Sequence, residues 1–252
     1  MGLLQNLKSA LGPAPKTVPA LPPGMIVYAI PDIHGYAALL RDVHARIEND
    51  LPPDRTATVV YLGDYVDRGP DSAGVIDAIL DWSDSRITKI PLLGNHEDMM
   101  TGFLDTGGKG VEWLYNGGNA TLASYAVEAS PNWPLDERMP KLWEAFAAAI
   151  PDAHLQFLRG LRTTWECGDY FFVHAGVRPG VPLEKQEKID LIWIRDTFLR
   201  SREHFGKMIV HGHSCERHPE FHTNRIALDA CVYRYGELAC LRLEGEDARL
   251  LL

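Results

Sequence analysis

From residue 25 onward, short apolar runs alternate with longer stretches in which apolar residues recur every three or four positions. Residues 25–30, 58–62 and 87–93 are runs rich in Val, Ile, Leu and Tyr, and such runs read as strands. Between them, residues 36–48 carry their apolar side chains at helical spacing, and Asp71 or Ser72 caps a second helix that runs to about Trp82. A third helix is expected to start near Glu97. Strand–helix alternation predicts parallel pairing with the helices packed outside. The rhythm breaks between about 105 and 160, where Gly107-Gly108 and Gly117-Gly118 flank helix-like segments at 122–127 and 141–150. Further strands are expected at 170–173, 207–210, 225–228 and 238–243, with 249–252 as a candidate last one.

Ahead of this pattern, residues 13–24 (PAPKTVPALPPG) carry five prolines and read as an extended tether. The first twelve, MGLLQNLKSALG, have one lysine and a short apolar pattern but no cleavage-type signal. They are expected to be a loosely held end; a short amphipathic helix docked on the body is the alternative. The expected division is therefore a tether at 1–24 and one domain at 25–252, with a helical cap insertion at about 105–160, because the strand-end motifs resume after it.

Composition narrows the function. With 46% hydrophobic and 23% charged residues the chain can bury a full core. Its net charge of −9 argues against a non-specific nucleic-acid partner, which needs a basic surface. An acidic chain acting on anions must build positive charge locally, from metals and a few arginines. No apolar stretch approaches the ~18 residues of a membrane span, so no membrane partner is expected. Cys167, Cys215, Cys231 and Cys240 form no CxxC pair and are expected to be free thiols in a reducing cytoplasm.

The candidate chemistry sits where strands end. The first run leads into Pro31-Asp32-Ile33-His34-Gly35, the second into Gly63-Asp64-Tyr65-Val66-Asp67-Arg68-Gly69, and the third into Gly94-Asn95-His96-Glu97. Two later runs lead into His174-Ala175-Gly176 and His211-Gly212-His213. Ligands of open parallel sheets bind at the carboxyl ends of strands. Carboxylates, an asparagine and imidazoles converging there suit divalent metals, and the arginine suits a phosphate.

In this order, PDIHG, GDYVDRG, GNHE, HAG and HGH resemble the phosphoprotein-phosphatase branch of the calcineurin-like metallophosphoesterases, and within it the bacterial and phage-lambda-like serine/threonine phosphatases. The resemblance covers roughly residues 25–240. It implies an α/β fold, a β-sandwich flanked by helices. It also implies two divalent cations, with manganese favoured and iron or zinc fitting the same donors. Asp32 and His34 would hold one cation, Asp64 would bridge, and Asn95, His174 and His213 would complete the second site. A bridging hydroxide would attack phosphorus directly. His96, paired with Asp67, would protonate the leaving oxygen as general acid. Arg68 and Arg195, with Asn95, would bind the phosphate. Pro31 departs from the family, which usually has glycine there, and the loop must tolerate a missing N–H.

The activity so implied is phosphomonoester hydrolysis on a phosphorylated protein or peptide, at phosphoserine or phosphothreonine and also phosphotyrosine. A symmetrical dinucleoside-tetraphosphate hydrolase shares the five motifs and stays open, as does a non-catalytic binding module. The cap should separate the first two, since a second nucleotide needs basic or aromatic groups. Basic residues there are few: Lys109, Arg138, Lys141 and Arg159. His211 is expected to support a ligand rather than be one. The segment 116–121 resembles one near the substrate mouth of bacterial members, or is a glycine turn with Thr121 as helix cap. Asp229 either orients a ligand or makes a turn, Tyr233 borders the cleft, and Trp113, Trp133, Trp143 and Trp165 are expected to pack cap and core.

Overall fold

The computed structural model describes residues 18–251. Among them, ten strands form two five-stranded sheets. In chain order these are β1 (Ile26–Ile30), β2 (Ala57–Tyr61), β3 (Ile87–Pro91), β4 (Thr164–Cys167), β5 (Tyr170–Val173), β6 (Met208–His211), β7 (Glu220–Phe221), β8 (Arg225–Ala227), β9 (Leu241–Glu244) and β10 (Asp247–Leu250). The first sheet runs β10-β9-β1-β2-β3 and the second β4-β5-β6-β8-β7. The expected parallel pairing holds for β1–β2–β3 and for β5–β6–β8, while β9, β10, β4 and β7 join antiparallel.

The continuous apolar runs follow from two covered faces. Val27, Ala29, Val60 and Leu62 point between the sheets and meet Phe172, Val210, Ile226 and Leu243. The alternate residues Tyr28, Ile30, Val59 and Tyr61 face the opposite way. They pack under helices α1 (Ala37–Asp50) and α2 (Ser72–Asp81), on Leu40, Val43, Ile47, Val75 and Ile79. Asp71 caps α2, its carboxylate accepting the Gly74 N–H at 2.8 Å. The third helix, α3 (Asn95–Thr106), starts two residues before Glu97.

Residues 105–160 form α4 (Gly110–Trp113), a π-helical turn (Leu114–Gly118), α5 (Asn119–Ser124), α6 (Arg138–Ala149) and α7 (Asp152–Arg159). The helix expected at 122–127 stops at Ser124, because Ala126 turns to φ 57° and ends the run. Residues 1–17 of the expected tether lie outside the described residues. Residues 18–24 run along the body, with Leu21 buried between the sheets and its N–H donated to Gly245 O at 2.8 Å.

The free-thiol expectation is corrected at one pair. Cys215 and Cys231 are disulfide-bonded with Cα atoms 5.1 Å apart, while Cys167 and Cys240 are free. The cysteines lie in the loops after β6 and β8, parallel neighbours that bring residues 16 apart in sequence side by side. With that pair bonded, the cysteines no longer support a reducing compartment. No helix among the described residues is long and apolar enough to cross a membrane.

Candidate metal centre

β1, β2 and β3 deliver Asp32, His34, Asp64, Asp67, Arg68, Asn95 and His96 to one edge of the first sheet, and β5 and β6 deliver His174 and His213 to the matching edge of the second. The loops are locked together by the backbone. The N–H groups of Ile33 and His34 both donate to Asp64 O at 2.9 Å, and Gly35 N–H to Tyr65 O at 2.8 Å. These bonds begin at Ile33, so Pro31 withholds none of the donors they use. Gly94 and Gly212 are required by close approach, since a Cβ at either would strike Oδ1 of Asp64 or of Asp32. His34, Asp64, Asp67, Arg68 and His213 all have positive φ, between 46° and 73°. Non-glycine residues pay for this conformation, and it concentrates where function fixes the backbone.

Hydrogen bonds set the imidazoles. His34 Nδ1–H donates to Val66 O at 2.8 Å and His174 Nδ1–H to Leu62 O at 2.9 Å. In the neutral ring this leaves Nε2 bare, the state in which a histidine binds metal. Burial, followed by the charges of His96 and Arg68, holds His34 well below its ordinary pKa. Burial also lowers His174, and lowers His213 together with the charge of His174. Neutral ligand forms are thus favoured.

The carboxylates face these nitrogens. Asp64 Oδ2 lies 3.7 Å from His34 Nε2, while its Oδ1 lies 3.4 Å from His174 Nε2, so each oxygen serves a different side. Asp32 Oδ1 accepts the His213 N–H at 2.9 Å, and Oδ2 is 4.0 Å from His34 Nε2. Asn95 Oδ1 and His213 Nδ1 approach His174 Nε2 to 3.0 and 3.1 Å. Ligand atoms of Asp64, His174 and His213 fall within 4.8 Å of one another, as do those of His34, Asp64 and His96. Buried Asp32 stands well above the usual carboxylate range, raised by burial, then by Asp229 and Asp64. Asp229 itself is pushed up to about 6, chiefly by burial. Two buried carboxylates, Asp32 and Asp64, facing bare imidazoles form a set that divalent cations would satisfy. The residues present fit two such ions sharing Asp64.

His96 is held differently. Its Nδ1 donates to Asp67 Oδ2 at 2.6 Å, and its Nε2 faces Arg68 Nη2 at 3.1 Å. Burial pulls His96 down, but the charges of Asp64 and Asp67 and the Asp67 hydrogen bond outweigh it, and the ring stands above its ordinary value. Arg68 also donates to His34 Nε2 at 2.8 Å and lies 4.6 Å over the Tyr233 ring. Arg195 is exposed, and its charge acts on His174, His213 and Asp229. His211 is buried outside the cluster, with Nδ1 donating to Gly212 O at 3.0 Å.

Four further residues support the site in roles that the sequence did not predict for them. Glu97, fully buried, accepts the N–H groups of Asp64, Tyr65, Val66 and Gly94. Its place three residues after Gly94, where a helix-start glutamate reaches back, was the available signal. Trp113 and Thr121 donate to the Asp67 carboxylate, and Ser72 Oγ accepts the Asp67 N–H at 3.0 Å. Trp113 packs the cap as expected, against Phe103 and Phe146, and its indole N–H serves Asp67 as well.

The Calcineurin-like phosphoesterase family profile matches residues 25–244, and the chain belongs to this family. It is 27% identical over 232 residues to Serine/threonine-protein phosphatase 1 of Salmonella typhimurium, covering 86% of this chain and 92% of the relative. It is 26% identical over 163 residues to the symmetrical bis(5'-nucleosyl)-tetraphosphatase of Nitrosospira multiformis, covering 65% of this chain and 48% of that protein. The crystal structure of a cold-active protein-tyrosine phosphatase from a psychrophilic Shewanella species shares the fold, with a TM-score of 0.60 and 16% identity over 92% of this chain and 83% of that one.

Proposed function

We propose that the protein hydrolyses phosphomonoesters on proteins, at phosphoserine and phosphothreonine, with phosphotyrosine also accepted. The observation that carries the reading is the His96–Asp67 pair, joined at 2.6 Å, with His96 Nε2 only 3.8 Å from the shared Asp64 carboxylate. Asp32, His34 and Asp64 would hold one divalent cation, and Asp64, Asn95, His174 and His213 the other, with manganese preferred over iron or zinc. Two such cations supply a nucleophile from water at neutral pH and offset the charge of the phosphate.

The chain's own groups do the rest. Arg68 Nη1 and Nη2 reach between His34 and His96, and the guanidinium would turn its paired N–H groups to the non-bridging oxygens. Arg195, in the connection from β5 to β6, and the Asn95 amide would complete the grip on those oxygens. His96 Nε2 passes its proton to the ester oxygen as the P–O bond breaks, and Asp67 keeps the ring oriented and charged until then. The leaving group departs as a neutral serine or threonine hydroxyl.

The cap supports a protein substrate over a dinucleotide. Lys109 pairs with Asp98 at 2.8 Å, Lys141 with Glu137 at 2.6 Å and Arg159 with Asp105 at 3.0 Å, and Arg138 donates to the carbonyls of Trp133 and Pro131. These are surface pairs in which the basic side chains are 38–65% exposed, so they disfavour a polyphosphate only mildly, and exposed Tyr115 is an aromatic group a base could use. The likeness to the Nitrosospira enzyme favours the second reading, dinucleoside-tetraphosphate hydrolysis. Turnover of a phosphoserine peptide and of diadenosine tetraphosphate, measured side by side in manganese after chelator treatment, decides between them. Release of phosphate from the peptide alone is the expected result. Cleavage of the dinucleotide alone would replace the proposed substrate.

A further inference from the structure

Asp67 is fully buried, and burial raises its pKa, so hydrogen bonds must hold its charge and its orientation. Four hydrogen bonds to its carboxylate do this, and only one comes from His96. Trp113 Nε1–H lies 3.0 Å from both oxygens, and the Thr121 hydroxyl donates to Oδ1 at 2.6 Å. The Asp67 N–H is shared between Thr121 Oγ1 at 2.9 Å and Ser72 Oγ at 3.0 Å. With the Thr121 proton committed to Asp67, the Ser72 hydroxyl must donate across the 2.9 Å gap to Thr121.

We infer that Trp113 and Thr121, on the two helices flanking the π-helical turn of the cap, are positioning residues for proton transfer by His96. The inference rests on the general-acid reading above. Both groups fix the plane of the carboxylate so that Oδ2 meets His96 Nδ1, and both stabilise its charge. Without them the carboxylate is free to rotate, and His96 loses the fixed partner that aims its Nε2. The same turn accepts the Arg68 N–H at Gly117 O, at 3.4 Å, so the cap braces the strained Asp67–Arg68 turn at a second point. The cap is thereby part of the chemistry of the leaving group.

Leaving-group dependence separates this role from structural support. The p-nitrophenolate ion leaves without a proton, whereas a serine alkoxide needs one. Trp113→Phe keeps an aromatic ring against Phe103 and Phe146 but removes the N–H. Thr121→Val keeps the shape and removes the hydroxyl, and Thr121→Ser restores it. In each of the first two variants, kcat on a phosphoserine peptide should fall at least about tenfold further than kcat on p-nitrophenyl phosphate, with Thr121→Ser close to wild type in that ratio. His96→Asn is the reference and should show the same skew more strongly. Equal losses on both substrates in the two cap variants, beside a skewed His96→Asn, would overturn the inference and leave the general acid standing. An unskewed His96→Asn would overturn the general-acid reading itself.

Discussion

Glu97 stands with its carboxylate among four backbone N–H groups at 2.7–3.2 Å, three of them from the turn that carries Asp64. Burial and the Asp64 charge push its pKa up to about 8, against the pull of those donors. A cation on Asp64 would remove the second cause. Glu97→Gln places an amide N–H₂ against N–H donors, so the Asp64 turn should loosen without any loss of a ligand. Manganese affinity should fall about 10- to 100-fold, as when support behind a ligand is lost, and a metal titration followed by activity checks it. Ligand-type residues were legible in the sequence because each follows a strand in a short polar motif. Glu97 left a signal in its spacing after Gly94, but Trp113 and Thr121 were not legible as supports, because Asp67 lies 46 and 54 residues from them and only the fold joins them.

Between α1 and β2 lies a buried histidine with no part in the chemistry. His44 stacks on Trp82 at 3.8 Å and accepts the Tyr61 hydroxyl at 2.9 Å. Burial, helped by Lys89 and Arg41, lowers its pKa to about 3. The unfolded chain binds this proton near pH ~6.5 and the folded chain does not, so stability is full above that value. It should fall as pH drops from about 6.5 toward 3, and His44→Gln should flatten the fall in Tm across that window. The loops after β6 and β8 give a second expectation. Denatured but unreduced protein should take up alkylating reagent only at Cys167 and Cys240, with Cys215 and Cys231 joining after reduction. The parallel strands and main helices were legible from periodicity. The antiparallel edge β4 was not, because its residues are half-exposed and mixed in polarity, and the disulfide depends on a strand pairing that spacing does not encode.

Two sheets packed face to face bring residues 32 and 213 into one hydrogen bond, so the site exists only in the assembled fold. Ions that bind the native centre and not the unfolded chain should stabilise the whole molecule. At a hundredfold excess over Kd each occupied site contributes about 2.7 kcal/mol. At about 2–4 °C per kcal/mol for a domain of this size, manganese should raise Tm over chelated protein by about 5–10 °C for each site filled, as differential scanning fluorimetry would read it. The order of the five motifs made the family and its two-sheet fold legible; the cap's path between α3 and β4 followed no motif that could be read in advance. A pair of ions sharing Asp64 makes the manganese count per chain at saturation, in wild type and in Asp64→Asn, the decisive measurement. Two ions in wild type, with both sites weakened together by the single substitution, is the expected result. One ion in wild type, or two retained with full affinity in Asp64→Asn, would contradict the shared centre.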